Sequence, residues 1–112
     1  MSRSPAEFLR DAREMAWQAS TYDSLDADTL AKGTPRFSVV YCLIIIGEAL
    51  NNIPEPIRSL APDIPWRAII DMCHLLIHSY WRTDYTVVHD VVSRDLDPLI
   101  EAIDRLLPLV ES

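Results

Sequence analysis

Pro35-Arg36-Phe37-Ser38-Val39-Val40-Tyr41-Cys42-Leu43-Ile44-Ile45-Ile46-Gly47-Glu48-Ala49-Leu50-Asn51-Asn52-Ile53 is the stretch on which the fold turns. Phe37, Val40, Tyr41, Ile44 and Glu48 fall on one side of a helix, and Val39, Leu43, Ile46 and Leu50 on another. A helix that is apolar nearly all round is buried on most sides, so this segment is predicted to be the central helix of a bundle. Gly47 in its middle costs about 1 kcal/mol relative to Ala. A close approach of a neighbouring helix would account for a glycine there. The longest apolar run, Val39 to Gly47, is about half of what a membrane span needs, and no membrane insertion is expected.

Helical signals continue on both sides. Upstream, Ser4-Pro5-Ala6-Glu7 reads as a capping box with Pro in the first turn. Phe8, Ala12, Met15, Ala16 and Ala19 then fall at helical spacing to about Tyr22. Ser24 to Ala31 predicts a short helix that Gly33-Thr34-Pro35 breaks. Downstream, Pro54, Pro56, Pro62 and Pro65 leave room only for a short helix between Glu55 and Leu60. Asp63-Ile64-Pro65-Trp66 opens another, running through Ile69, Ile70, Cys73, Ile77 and Tyr80, with Trp66 as a core anchor. Thr83-Asp84 starts the next, leading Tyr85, Val88 and Val91. A last helix is expected from about Ser93 to Val110, with Pro98 in its first turn or so, where proline is tolerated. Glycine is scarce, two residues in 112, and neither Asn-Gly nor Asp-Gly occurs, so hairpins are not favoured. The expected fold is all-α, an antiparallel helical bundle, formed by a single domain over residues 1–112. Surplus apolar helix surface predicts a homodimer.

Composition narrows the function. The net charge of −7 does not attract nucleic acid over the whole surface, so a nucleic-acid role needs a local basic cleft or one built by two subunits. Nine of the ten basic residues are Arg, which suits bidentate phosphate contacts. Cys42 and Cys73 lie in apolar helical surroundings and are expected to be reduced thiols. The start of the chain lacks an apolar signal core, and a cytoplasmic location is expected.

The polar residues with catalytic potential concentrate in Cys73-His74-Leu75-Leu76-Ile77-His78-Ser79-Tyr80. His74 and His78 are four apart and share a helix face with Asp71. Imidazole suits proton transfer near neutral pH. Arg82, four beyond His78, reaches the same cleft if the helix persists that far. Tyr80 points about 160° away from His78 on an ideal helix and joins the site only if the helix ends or bends near Ser79. Asp71, His74 and His78 also have metal-ligand spacing, but no second ligand cluster accompanies them, and no metal or cofactor is expected. Glu48, on the apolar helix, calls for a partner if buried, and Arg67 could serve. Tyr80 and Trp81 could equally be packing aromatics.

Several segments together resemble the HepT-like (DUF86) family of the HEPN superfamily. They are Phe8-Leu9-Arg10-Asp11, Ile44-Ile45-Ile46-Gly47-Glu48-Ala49, Ile64-Pro65-Trp66-Arg67, Leu76-Ile77-His78-Ser79-Tyr80 and Asp95-Leu96-Asp97-Pro98-Leu99. The resemblance implies a HEPN helical bundle, a dimer, and a type VII-like toxin–antitoxin role. The toxin would be a metal-independent ribonuclease acting on an RNA substrate, tRNA or mRNA. Its partner would be a minimal nucleotidyltransferase antitoxin that can transfer AMP to a toxin tyrosine. The family hallmark is Arg, a polar residue, spacers, His and, two residues on, Tyr. His78 matches the motif His, Tyr80 the tyrosine and His74 the polar position; the Arg position is Cys73. A second register, Arg67 with six spacers to His74, ignores the surrounding match. Two function classes follow: a ribonuclease toxin with His78, His74 and Arg82 in its site, or a degenerate module that binds the nucleotidyltransferase without cutting RNA. A ligand or nucleotide pocket in a helical dimer is a third.

Overall fold

The computed structural model describes residues 3–111 and, among them, contains helices and turns but no strand. The helices are α1 (Pro5–Ser20), α2 (Ala27–Leu30), α3 (Gly33–Asn51), α4 (Glu55–Arg58), α5 (Trp66–His78), α6 (Tyr85–Asp90) and α7 (Leu96–Glu111). A 3-10 turn spans Tyr80–Arg82, and a π-helical segment, Val91–Asp95, joins α6 to α7.

Local chemistry sets most of the boundaries. Ser4 caps α1 in the expected box: its hydroxyl accepts from the Glu7 N–H at 3.2 Å, while the Glu7 carboxylate accepts from the Ser4 N–H. Asp26 starts α2 by accepting from the Thr29 N–H at 2.9 Å. Gly33 takes φ +56° between α2 and α3, a conformation glycine holds without a Cβ penalty. Asp84 accepts from the Thr86 N–H at 2.9 Å and opens α6.

The core is formed by α1 packing against α3 and α7, and by α3 packing against α5, while α2 rests on α6 and α3. Leu9, Leu43, Ile46, Leu50, Ile70, Leu99 and Ile103 are completely or almost completely removed from solvent. Each contributes about 1.5–3 kcal/mol relative to an exposed position. Trp66 is a core anchor as expected, and its indole N–H donates to the Ala61 carbonyl at 2.9 Å, which satisfies the polar edge of a buried ring.

Helix α3 is long and apolar enough, by length and composition, to cross a membrane. Here Val39, Leu43, Ile46 and Leu50 are buried where α3 packs on α1 and α5. Its other side differs from the sequence expectation. Phe37, Tyr41 and Glu48 are exposed, so Glu48 needs no buried partner, and Arg67 instead faces Asp71 at 3.7 Å on the surface.

Gly47 answers to a close approach. A Cβ built there would fall inside the van der Waals shell of the Cys73 Cβ and lie 3.3 Å from its Sγ. The two helices cross at this point because position 47 has no side chain. The second departure concerns the C-terminal half. Instead of a fresh start near Ser93, the chain stays helical from Tyr85 to Glu111 through the π segment. Pro98, third in α7, lacks the N–H that would otherwise donate back toward the π segment. Where the π segment ends, the Leu96 N–H donates to the Val91 carbonyl.

Candidate active site

The site is built on the end of α5. Its buried face, Ile69, Ile70, Met72, Cys73 and Leu76, is fixed against the core. The same helical phase turns Arg67, Asp71, His74 and His78 outward as one polar stripe. Arg67, Asp71 and His78 are exposed, and His74 is half-buried. The His74 and His78 rings meet edge to face, with centroids 5.8 Å apart. Two imidazoles thus occupy one accessible surface, each with ring nitrogens that can take up or release a proton.

Helix α5 ends at His78. The Ser79 N–H donates to the Leu75 carbonyl at 2.9 Å, and then Ser79 leaves the helical region at φ −148°, ψ 51°. The Arg82 N–H donates to the Ser79 carbonyl at 2.8 Å, closing the 3-10 turn. This break has opposite consequences for two residues. Tyr80 is released from the helical phase that would have pointed it away from His78, and its ring is exposed (72%). Arg82 loses the helical continuity that would have brought it one turn above His78. It lines a small cavity with Met72, Leu75, Asp84 and Val87 that holds neither histidine.

Cys73 lies on the opposite side of α5 from this stripe, 1% exposed and pressed against Gly47. Burial pushes its thiol up to about 12, against a smaller opposing contribution from the Gly47 backbone. A neutral thiol inside a helix contact carries no positive charge and is no nucleophile near neutral pH.

Sequence patterning did not bring the aromatic residues at this end of the bundle together as a site. Tyr80 and Trp81 are not packed into the core: Trp81 is 70% exposed, and the two rings meet edge to face at 5.5 Å. Together with Arg36, Phe37, Tyr41 and Tyr85 they line a groove of about 580 Å³ between α3 and the turn after α5. The Arg36 guanidinium lies 4.8 Å from the centre of the Phe37 ring. The i, i+4 pair Phe37/Tyr41 was the available signal, but on an otherwise apolar helix it reads as core.

An all-helical bundle that sets a half-buried and an exposed histidine beside an exposed tyrosine where a core helix stops defines a recognisable class. Residues 6–106 match the family described as ribonuclease HepT-like, and the chain belongs to that family. It is 34% identical over 108 residues to "Probable ribonuclease HepT" of Thermococcus cleftensis, covering 95% of this chain and 98% of that protein. It is 32% identical over 76 residues to "Putative RNase MJ1216" of Methanocaldococcus jannaschii, covering 68% of this chain and 63% of that protein. No solved structure matches the chain.

Proposed function

We propose that this chain is a ribonuclease toxin of a toxin–antitoxin pair, acting on cytoplasmic RNA without a metal ion and restrained by a minimal nucleotidyltransferase. The observation that carries this reading is the accessible His74–His78 pair, rings 5.8 Å apart, at the end of α5 in a member of a ribonuclease family. In the reaction one imidazole takes the proton of the ribose 2′-OH. The 2′-oxygen bonds to phosphorus, the bond from phosphorus to the 5′-oxygen breaks, and the second imidazole protonates that leaving oxygen. His78, the more exposed of the two, is the main catalytic group and His74 assists. Arg82, which the sequence offered as an assisting cation, lines a cavity without either histidine, so in this reading it reaches the developing phosphate charge only if the Tyr80–Arg82 turn moves when RNA binds.

A homodimer belongs to this reading. Leu75 and Ile77 are large apolar side chains left exposed on α5 at 44% and 45%. Pairing of α5 helices would cover them and double the histidine site. Tyr80 is the modification site, supported by its 72% exposure. Its phenolic oxygen would attack the α-phosphorus of ATP held by the nucleotidyltransferase, lose its proton and release pyrophosphate.

A second reading is favoured by one observation. Cys73 is buried and uncharged where the motif Arg is expected, as in a module that keeps the partner surface but not the chemistry. Purified protein incubated with RNA in the presence of a chelator, beside His78→Ala, separates the two. The ribonuclease reading expects cleavage that His78→Ala abolishes. Absence of cleavage by the unmutated protein, with retained binding of the nucleotidyltransferase, selects the degenerate module. Co-expression with the nucleotidyltransferase followed by peptide mapping tests the modification, which is expected at Tyr80; an AMP adduct elsewhere refutes that assignment.

A further inference from the structure

We infer that the groove between α3 and the Tyr80–Arg82 turn binds an unpaired nucleobase of single-stranded RNA by stacking, with Arg36 on the adjoining phosphate; this deepens the ribonuclease reading and rests on it. Four aromatic rings in the groove are largely open to solvent: Phe37 and Tyr41 at 63%, Trp81 at 70% and Tyr80 at 72%. Large rings ordinarily bury most of their surface, and an exposed cluster of them marks a binding surface. The groove, about 580 Å³, has the size of a small-ligand site.

Charge selects the occupant. The chain carries a net charge of −7, which repels a polyanion from most of its surface. Among the described residues, Arg36 is the only charged one lining this groove, and no carboxylate lines it. Largely exposed rings beside one guanidinium, which itself lies over the Phe37 ring, suit a planar base attached to a phosphate: every base has a π-face, and stacking tolerates any sequence. Base faces within a duplex are already covered by their neighbours, so the site takes an unpaired nucleotide. An isologous second copy would bring the same groove with the same uncompensated Arg36, whereas RNA brings the missing anion. Tyr80, two residues after His78 in sequence, is a wall of the groove, whose lining includes neither histidine.

The test is binding, independent of cleavage. A fluorescently labelled single-stranded hexanucleotide with 2′-deoxy sugars, which cannot be cut through the 2′-oxygen, is titrated with the full-length protein by anisotropy. An abasic strand of the same length and a blunt duplex serve as comparisons. The base-containing strand is expected to bind best. Phe37→Ala and Trp81→Ala are each expected to weaken it roughly tenfold, Trp81→Phe to restore most of the loss, and the abasic strand to be indifferent to all three changes. Arg36→Gln is expected to lower the slope of log affinity against log salt by roughly 0.7. Equal affinity for base-containing and abasic strands overturns the proposal. So does sedimentation showing that Trp81→Ala dissociates a dimer without altering strand binding, which would assign the groove to a second copy. Base-dependent binding without RNA cleavage supports the groove and counts against the catalytic reading alone.

Discussion

At the scale of single residues, position 73 sets packing against chemistry. The Cys73 thiol is 1% exposed, and burial pushes it up to about 12, so the folded protein holds it neutral and shielded. Cys42 is also buried and shifted in the same direction by burial. The native protein is therefore expected to react slowly with a thiol-modifying disulfide reagent at neutral pH, and to show two fast-reacting thiols once unfolded in guanidinium. Fast labelling of Cys73 in the native protein would mean that the α3–α5 contact opens. The histidines behave in the opposite way. His78 is exposed, so His78→Ala should leave the thermal midpoint nearly unchanged while removing a proton-transfer group that commonly contributes about 10²–10⁴-fold to rate. A large loss of stability in this variant, measured by thermal unfolding, would mark His78 as structural instead.

At the scale of elements, the α3–α5 crossing and the π segment carry the sharpest expectations. Gly47→Ala places a Cβ against the Cys73 Cβ and should cost about 1–3 kcal/mol in denaturant unfolding through overpacking. The clash is with the Cβ, not the tip of the side chain, so Cys73→Ala should fail to rescue it, whereas Cys73→Gly in the same background should recover part of the loss. Full rescue by Cys73→Ala would contradict this geometry. In the π segment, Asp95 has its carboxyl raised above the usual range, first by burial and then by Asp90, with Arg94 opposing. A folded-state value above the unfolded one means that ionisation of Asp95 costs stability. Its favourable contribution is full below the unfolded pKa and is lost as pH rises through the folded one. Asp95→Asn is thus expected to raise the thermal midpoint at neutral pH, with the gain shrinking toward acid. A gain that persists unchanged into acid would show that the carboxylate charge is not its cause.

At the scale of the whole molecule, most of the fold was readable because helix signals are local. The Ser4/Glu7 box, the break at Gly33 and the proline-punctuated stretch before Trp66 each state their meaning within a few residues, and Gly47 announced a close contact without naming its partner. Tertiary consequences were less legible. Periodicity alone could not tell that the Phe37/Tyr41 side of α3 stays uncovered, because an apolar stripe looks the same whether it meets a helix, a ligand or a second copy. Nor could it foresee the continuous run from Tyr85 to Glu111, since the π segment stands where a fresh helix start near Ser93 was expected. Within the candidate site, the His74/His78 pair followed from i, i+4 spacing. The fates of Tyr80 and Arg82 both depended on where α5 stops, which Ser79 decides by backbone conformation and not by side-chain pattern.

The proposal to be tested is that exposed His78 and half-buried His74 at the end of α5 make this member of the HepT-like family a ribonuclease that needs no metal. The most direct test is the rate of cleavage of a labelled single-stranded RNA by purified protein in excess chelator, with His78→Ala and His74→Ala measured alongside. The account predicts cleavage that leaves 2′,3′-cyclic phosphate ends, is abolished in His78→Ala and is reduced in His74→Ala. No cleavage by the unmutated protein, or cleavage that survives His78→Ala unchanged, would contradict it.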